Sequence, residues 1–113
     1  MSRTVICGYL RSPFTLAKKG DLARVRPDDM VAQVVKALVE KTKLKTADVE
    51  DLIMGCSFPE GEQGFNIGRM SVFLAGLPVS VAGTTVNRFC GSSMEAIHMA
   101  AGKIAIEIGR AHV

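Results

Sequence analysis

Residues 82–106 read AGTTVNRFCGSSMEAIHMAAGKIAI, and two structural periods meet inside this stretch. Residues 82–87 suit a short β-strand, and Cys90-Gly91-Ser92-Ser93 then opens a helix running to about residue 106. Met94, Ala96, Ile97, Met99, Ala100, Ala101, Ile104, Ala105 and Ile106 make that helix apolar almost all round. Only Glu95, His98 and Lys103 form a thin polar stripe. A helix of this kind is normally buried on both sides. Gly102 costs about 1 kcal/mol relative to Ala in mid-helix, and it is read as a mark of close approach by another helix. A three-strand unit cannot supply two covering layers, so the stretch asks for more protein than 113 residues hold.

Upstream, residues 4–10 form an apolar run suited to a buried strand, which Arg11-Ser12-Pro13 ends. Residues 14–27 carry two basic clusters and no period, which predicts a loop. Asp28 or Asp29 then caps a helix over residues 30–43, with Met30, Val31, Val34, Val35, Leu38 and Val39 on one stripe. A second strand is expected over residues 52–56, followed by the acidic, glycine-punctuated loop of residues 60–64. A second helix over residues 66–75 stops at Gly76 with Pro78 beyond it. The order is β-α-β-α-β-α, so the fold class is α/β, with a parallel sheet and right-handed crossovers.

Composition bounds the function. Hydrophobic residues make up 48% and charged residues 22%, which suits a soluble globular chain of one modest domain. The formal charge is only +3. Lys18, Lys19, Arg24 and Arg26 lack interleaved aromatics and read as a solvated loop, so no nucleic-acid partner is expected. Cys7, Cys56 and Cys90 are too widely spaced for a metal site and odd in number for a disulfide framework. No run approaches the roughly 20 apolar residues of a membrane span, and no signal-peptide pattern opens the chain. A reducing, cytoplasmic setting is the default expectation.

Cys90 stands where a strand hands over to a helix. Backbone N–H groups at a helix start are unpaired, and the positive end of the dipole favours a thiolate there. The same N–H groups, that of Cys90 included, can hold the oxyanion formed when a carbonyl is attacked. Strand, sharp turn, nucleophile and helix is also the layout that α/β-hydrolases use for serine. On these residues alone a buried, inert cysteine is the better reading.

The wider pattern separates the two. Asn87-Arg88-Phe89-Cys90-Gly91-Ser92-Ser93-Met94-Glu95-Ala96 resembles the acyl-cysteine signature of the thiolase family. Arg11-Ser12-Pro13-Phe14 is similar to the family's Arg-Thr-Pro-Phe loop. Gly64-Phe65-Asn66-Ile67-Gly68-Arg69, leading to Leu74-Ala75-Gly76-Leu77-Pro78, resembles its Asn-x-Ala-Arg helix and Ala-Gly-Leu-Pro ending. Gly68 and Met70 depart from the commoner Ala and Gln, which bears on packing. Cys-Gly-Ser-Ser together with Val25-Arg26-Pro27-Asp28-Asp29 looks closest to the degradative 3-ketoacyl-CoA thiolases of fatty-acid β-oxidation.

The resemblance implies an acetyl-CoA C-acyltransferase. Cys90 would attack a 3-ketoacyl-CoA, acetyl-CoA would leave, and the acyl-cysteine would pass its chain to free CoA; the reverse reaction is a Claisen condensation. Coenzyme A is then a substrate, with no permanently bound cofactor and no metal. The family fold has α-β-α-β-α layers in the full enzyme, of which this chain would hold the first β-α-β-α-β-α part of the N-terminal half. The resemblance also implies a homodimer or homotetramer. It places a Gly-His-Pro base, a Cys-x-Gly cysteine and an Asn-held water far downstream, so the segment alone is expected to be inactive. The alternatives are a related ketoacyl synthase-like condensing enzyme and a non-catalytic CoA- or lipid-binding fragment.

His98 does not replace the missing base. It lies eight residues past Cys90, about 12 Å along the helix and about 80° around it, and reads as a polar-stripe or packing residue. His112 carries no motif. Cys7 and Cys56 are expected to be inert core residues, Glu60 and Glu62 solvated loop carboxylates, and Met30, Met54, Met70, Met94 and Met99 core filler. The organisation expected is therefore residues 1–106 as an incomplete N-terminal domain. Residues 107–113 resemble a translated sequencing adapter and are expected to be a non-native tail.

Overall fold

Pro27 sets where the first helix begins. In a computed structural model of the chain, which describes residues 3–106, α1 spans Pro27–Thr42, with Arg26 extended at φ −66, ψ 135 as its N-cap. Proline at the first helical position has no N–H to leave unpaired and a φ already suited to the helix. The expected start at Met30, capped by Asp28 or Asp29, is therefore corrected. Both aspartates lie in the first turn, where they complement the helix dipole. Lys43 ends the helix in the left-handed region at φ 55, and its N–H and that of Leu44 close on the Glu40 and Val39 carbonyls.

Asp28 is gripped at two points. Arg26 Nε and Nη2 donate to its two oxygens at 3.0 and 2.8 Å, and the Asp29 N–H donates to Oδ1 at 2.9 Å. The hydrogen bond from Arg26, ahead of the others, holds the Asp28 carboxyl below the usual carboxylate range. A carboxyl whose folded-state pKa is lowered adds stability above its unfolded pKa and loses it as pH falls through the folded one. The chain is thus expected to lose more thermal stability between about pH 5 and pH 2 than its Asp28→Asn variant. Parallel thermal melts of the two check this; equal acid-induced losses would contradict it.

Strands β1 (Asp51–Gly55) and β2 (Ala82–Val86) form a parallel pair, with Asp51 opposite Ala82 and Gly55 opposite Val86. Helix α2 (Ile67–Leu74) joins them, and α3 (Ser92–Ala105) follows β2. The alternation of β1 sorts its neighbours. Leu52 and Met54 face the cluster of Ala32, Val35, Val39, Val72, Ala75, Leu77 and Val81, contributed by α1, α2 and the approach to β2. Asp51 and Gly55 face α3, through the Lys103 ammonium and the Ser92–Ser93 backbone respectively. Leu52, Val72 and Val81 are almost wholly buried, each such side chain stabilising the fold by about 1.5–3 kcal/mol relative to exposure.

Residues 4–10 do not form the expected first strand. Among the described residues the sheet has two strands, and this run pairs with neither. An apolar run becomes a strand only where a ladder partner meets its N–H and C=O groups. Here it passes an apolar cavity of about 650 Å³ between α1, β1 and α3. Lys41 holds it through the Tyr9 carbonyl at 3.3 Å and the Tyr9 ring. Ile6 is 78% exposed, and Cys7, expected in the core, is exposed as well. Of the five methionines expected as core filler, none is fully buried, and Met70 and Met94 are exposed.

Helix α3 is covered on one side. Ser92 and Ala96 are buried against the sheet, whereas Met94 is 57% and Ile97 49% exposed. The all-round apolarity read from the sequence thus meets only half its cover among the described residues. The expected helix contact at Gly102 is not found there either, since no atom lies within 4 Å of where its Cβ would be. Residues 107–113, read as a non-native tail, and His112 among them, lie outside the described residues. Among those described, no helix is long and apolar enough to cross a membrane.

Candidate functional site

The carboxyl ends of β1 and β2 converge on the start of α3, which is where open parallel sheets place their ligands. β2 ends at Val86, and a 3-10 turn over Phe89–Gly91 leads into α3. Cys90 is the middle residue of that turn and is exposed. The turn's first hydrogen bond runs from the Gly91 N–H to the Arg88 carbonyl at 3.0 Å. The Cys90 N–H therefore precedes the turn's ladder.

Side chains build this turn. Asn87 Oδ1 accepts from the Phe89 N–H at 2.9 Å, an Asx-type closure that suits a residue leaving a strand. Phe89 adopts φ 49, a left-handed conformation costing about 1–2 kcal/mol for a residue with a Cβ. The buried Ser92 hydroxyl accepts from the Arg88 N–H at 2.9 Å and donates to the Phe89 carbonyl at 2.7 Å. Arg88 reaches forward to Glu95 at 2.9 Å, outside the fold's core.

Close backbone approach sets the floor of the site. A Cβ on Gly55 would lie 2.5 Å from the Ser92 carbonyl carbon and the Ser93 nitrogen. Only glycine lets β1 pass so near the first turn of α3. At the other end of the helix, Lys103 pairs with the carboxylate of the buried Asp51. Asp51 Oδ1 has no hydrogen-bond partner among the described residues.

Helix α2 is fixed to β2 by an equally tight contact. Asn66 caps it, accepting from the Arg69 N–H at 3.2 Å and the Thr85 hydroxyl at 2.6 Å and donating to the Gly83 carbonyl at 2.9 Å. The Gly68 N–H donates to Thr85 Oγ1 at 3.0 Å. Arg69 stacks 4.4 Å over Phe73 and donates to the Val79 carbonyl at 3.0 Å and to that of Val81. It is committed to holding the approach to β2.

His98 is exposed on α3, while Cys56 is buried just past β1. Glu60 immediately precedes a 3-10 turn over Gly61–Gln63 and Glu62 lies within it, where it meets Arg26 at 3.5 Å. Among the described residues, no three His, Cys, Asp or Glu side chains group closely enough to hold a metal ion. Ser57, which donates to the Phe89 carbonyl at 2.5 Å, gave no sequence signal, being a single hydroxyl outside every motif.

Residues 4–113 match the thiolase N-terminal domain. The chain belongs to the thiolase family. It is 50% identical over 105 residues to a 3-ketoacyl-CoA thiolase of Acinetobacter baumannii (strain AYE), covering 93% of this chain and 27% of that protein. A 3-ketoacyl-CoA thiolase of Acinetobacter baylyi shows the same identity and coverage. It is also 48% identical over 114 residues to a beta-ketoadipyl-CoA thiolase of Acinetobacter baylyi, covering 100% of this chain and 28% of that one. The thiolase segment therefore spans about a quarter of the length of these relatives. Its mixed helices and small parallel sheet agree with the α/β class expected of the family.

Proposed function

We propose that this segment carries the nucleophile of a longer thiolase, and that Cys90 is the residue acylated. The observation that carries this reading is the exposed thiol on the built turn between β2 and α3, in a family member. Cys90 Sγ adds to the ketone carbon of a 3-ketoacyl-CoA, and the carbonyl electron pair moves to oxygen. The Cys90 N–H and the positive end of α3 stabilise that oxyanion. Collapse breaks the bond between the second and third acyl carbons, releasing acetyl-CoA once its carbanion is protonated. The thiol of a second CoA then takes the acyl group and frees the cysteine.

The proton transfers need a base from outside residues 3–106. His98 lies within α3, whereas Cys90 is in the turn before that helix, and the eight positions that separate them, about 12 Å of helical rise, are too far for a direct proton transfer. Residues 1–113 alone are accordingly proposed to be inactive. The names of the relatives support a 3-ketoacyl-CoA substrate.

Thiol labelling tests the reading. Cys7 and Cys90 are both exposed, so exposure alone does not separate them. In the full-length enzyme at neutral pH, Cys90 is expected to react with iodoacetamide at least about tenfold faster than Cys7. Equal rates would overturn the proposed activation.

A further inference from the structure

Ser57 follows β1, whereas Cys90 follows β2, and a side-chain hydrogen bond joins the two segments just beyond the Cys56 N–H to Val86 carbonyl bond at 3.0 Å. The Ser57 hydroxyl donates to the Phe89 carbonyl at 2.5 Å. That carbonyl and the Cys90 N–H belong to one peptide unit, which is planar and directs the two groups to opposite sides. The Ser92 hydroxyl donates to the same oxygen at 2.7 Å, and the Ser92 N–H closes the 3-10 turn on it. Three donors thus converge on one carbonyl. Drawing electron density toward its oxygen makes the N–H across the unit a stronger donor. They also fix the orientation of that N–H at a point where Phe89 is held in the left-handed region.

We propose that Ser57 is a positioning residue of the acyl-transfer site: it holds and polarises the Phe89–Cys90 peptide so that the Cys90 N–H receives the oxyanion. The inference rests on the reading of Cys90 as the nucleophile. Ser57 touches no substrate and exchanges no proton. Its effect falls on the step in which Sγ adds to the ketone carbon and negative charge appears on oxygen. Ser92 also accepts from the Arg88 N–H inside the turn, so Ser57 is the donor that can be removed while the turn's own bonds remain.

The test is the kinetics of the full-length enzyme with acetoacetyl-CoA and CoA. Ser57→Ala is expected to lower kcat about tenfold with KM changed less than about twofold, since one of three donors behind the N–H is lost. Alkylation of Cys90 by iodoacetamide builds no oxyanion and is expected to stay within about twofold of wild type. Ser57→Thr keeps the hydroxyl and is expected to restore most of kcat. The proposal is overturned if Ser57→Ala retains wild-type kcat, if alkylation falls in step with kcat, or if Ser57→Thr is no better than Ser57→Ala. Cys90→Ser separates the two levels. Should it keep thiolysis, the nucleophile reading fails; should it be inactive while Ser57→Ala is normal, only the role of Ser57 fails.

Discussion

Cys90→Ala in the full-length enzyme is expected to lower thiolysis by at least about 10,000-fold, while CoA affinity changes by less than about threefold. The size follows from the covalent route. Without Sγ there is no acyl-enzyme, and the remaining N–H groups can only stabilise an attack that no longer has an attacker. Cys90→Ser is expected to lie close to the alanine variant, because an alcohol is far less acidic than a thiol and a much poorer nucleophile near neutral pH. Retention of more than about one per cent of wild-type activity by Cys90→Ala would sink the assignment. Steady-state assay together with isothermal titration of CoA gives both numbers.

Gly68→Ala is the largest expected effect on stability. The added Cβ would lie 2.2 Å from the Thr84 carbonyl oxygen and 2.7 Å from its carbon. Both atoms belong to the β2 backbone, which is held in the parallel ladder and cannot move aside as a flexible side chain would. Helix α2 must lift instead, pulling the Asn66 cap away from Gly83 and Thr85. A loss of about 2–4 kcal/mol is expected, read as a lower denaturant midpoint. A loss under about 0.5 kcal/mol would show that α2 does not sit this close to β2. The family resemblance gives Ala as the commoner residue here, so this chain's α2 has settled nearer its strand than an alanine permits.

Much of this architecture was legible in the residue pattern. Helix α2 was found by its apolar content between Asn66 and Gly76, and the structure uses both, Asn66 as the cap and Gly76 at φ 72 beyond the end. Strands β1 and β2 were short apolar or β-branched runs bounded by turn residues, and they appear within one residue of expectation. At the start of α1 two aspartates look like caps, whereas Pro27 sets the first helical position by its fixed φ and leaves both aspartates in the first turn. The strand expected over residues 4–10 failed for a different reason. Its hydropathy is local, but pairing is a property of what lies alongside.

The site was legible in one residue and hidden in its supports. Cys90 stands out through the resemblance of residues 87–96 to the family's acyl-cysteine signature, since the strand, turn and helix signals that meet there also fit an inert cysteine. Gly55 gives no sign that a backbone presses on it, and Gly68 shows only a departure from the commoner Ala that bears on packing, since close approach depends on how separate elements dock. Ser57 was equally silent. Its bond to Phe89 arises because two parallel strands end side by side, and nothing in the segment around residue 57 records that neighbour.

The most direct measurement is a search for the acyl group itself. The full-length enzyme is mixed with acetoacetyl-CoA in the absence of free CoA, quenched in acid, and digested with trypsin. Cleavage after Arg88 and Lys103 isolates a peptide in which Cys90 is the only cysteine. This peptide is expected to gain the mass of one acetyl group and to lose it when CoA is added before the quench. An unmodified peptide, or an acetyl group carried instead by Cys7 or Cys56, would contradict the role of Cys90.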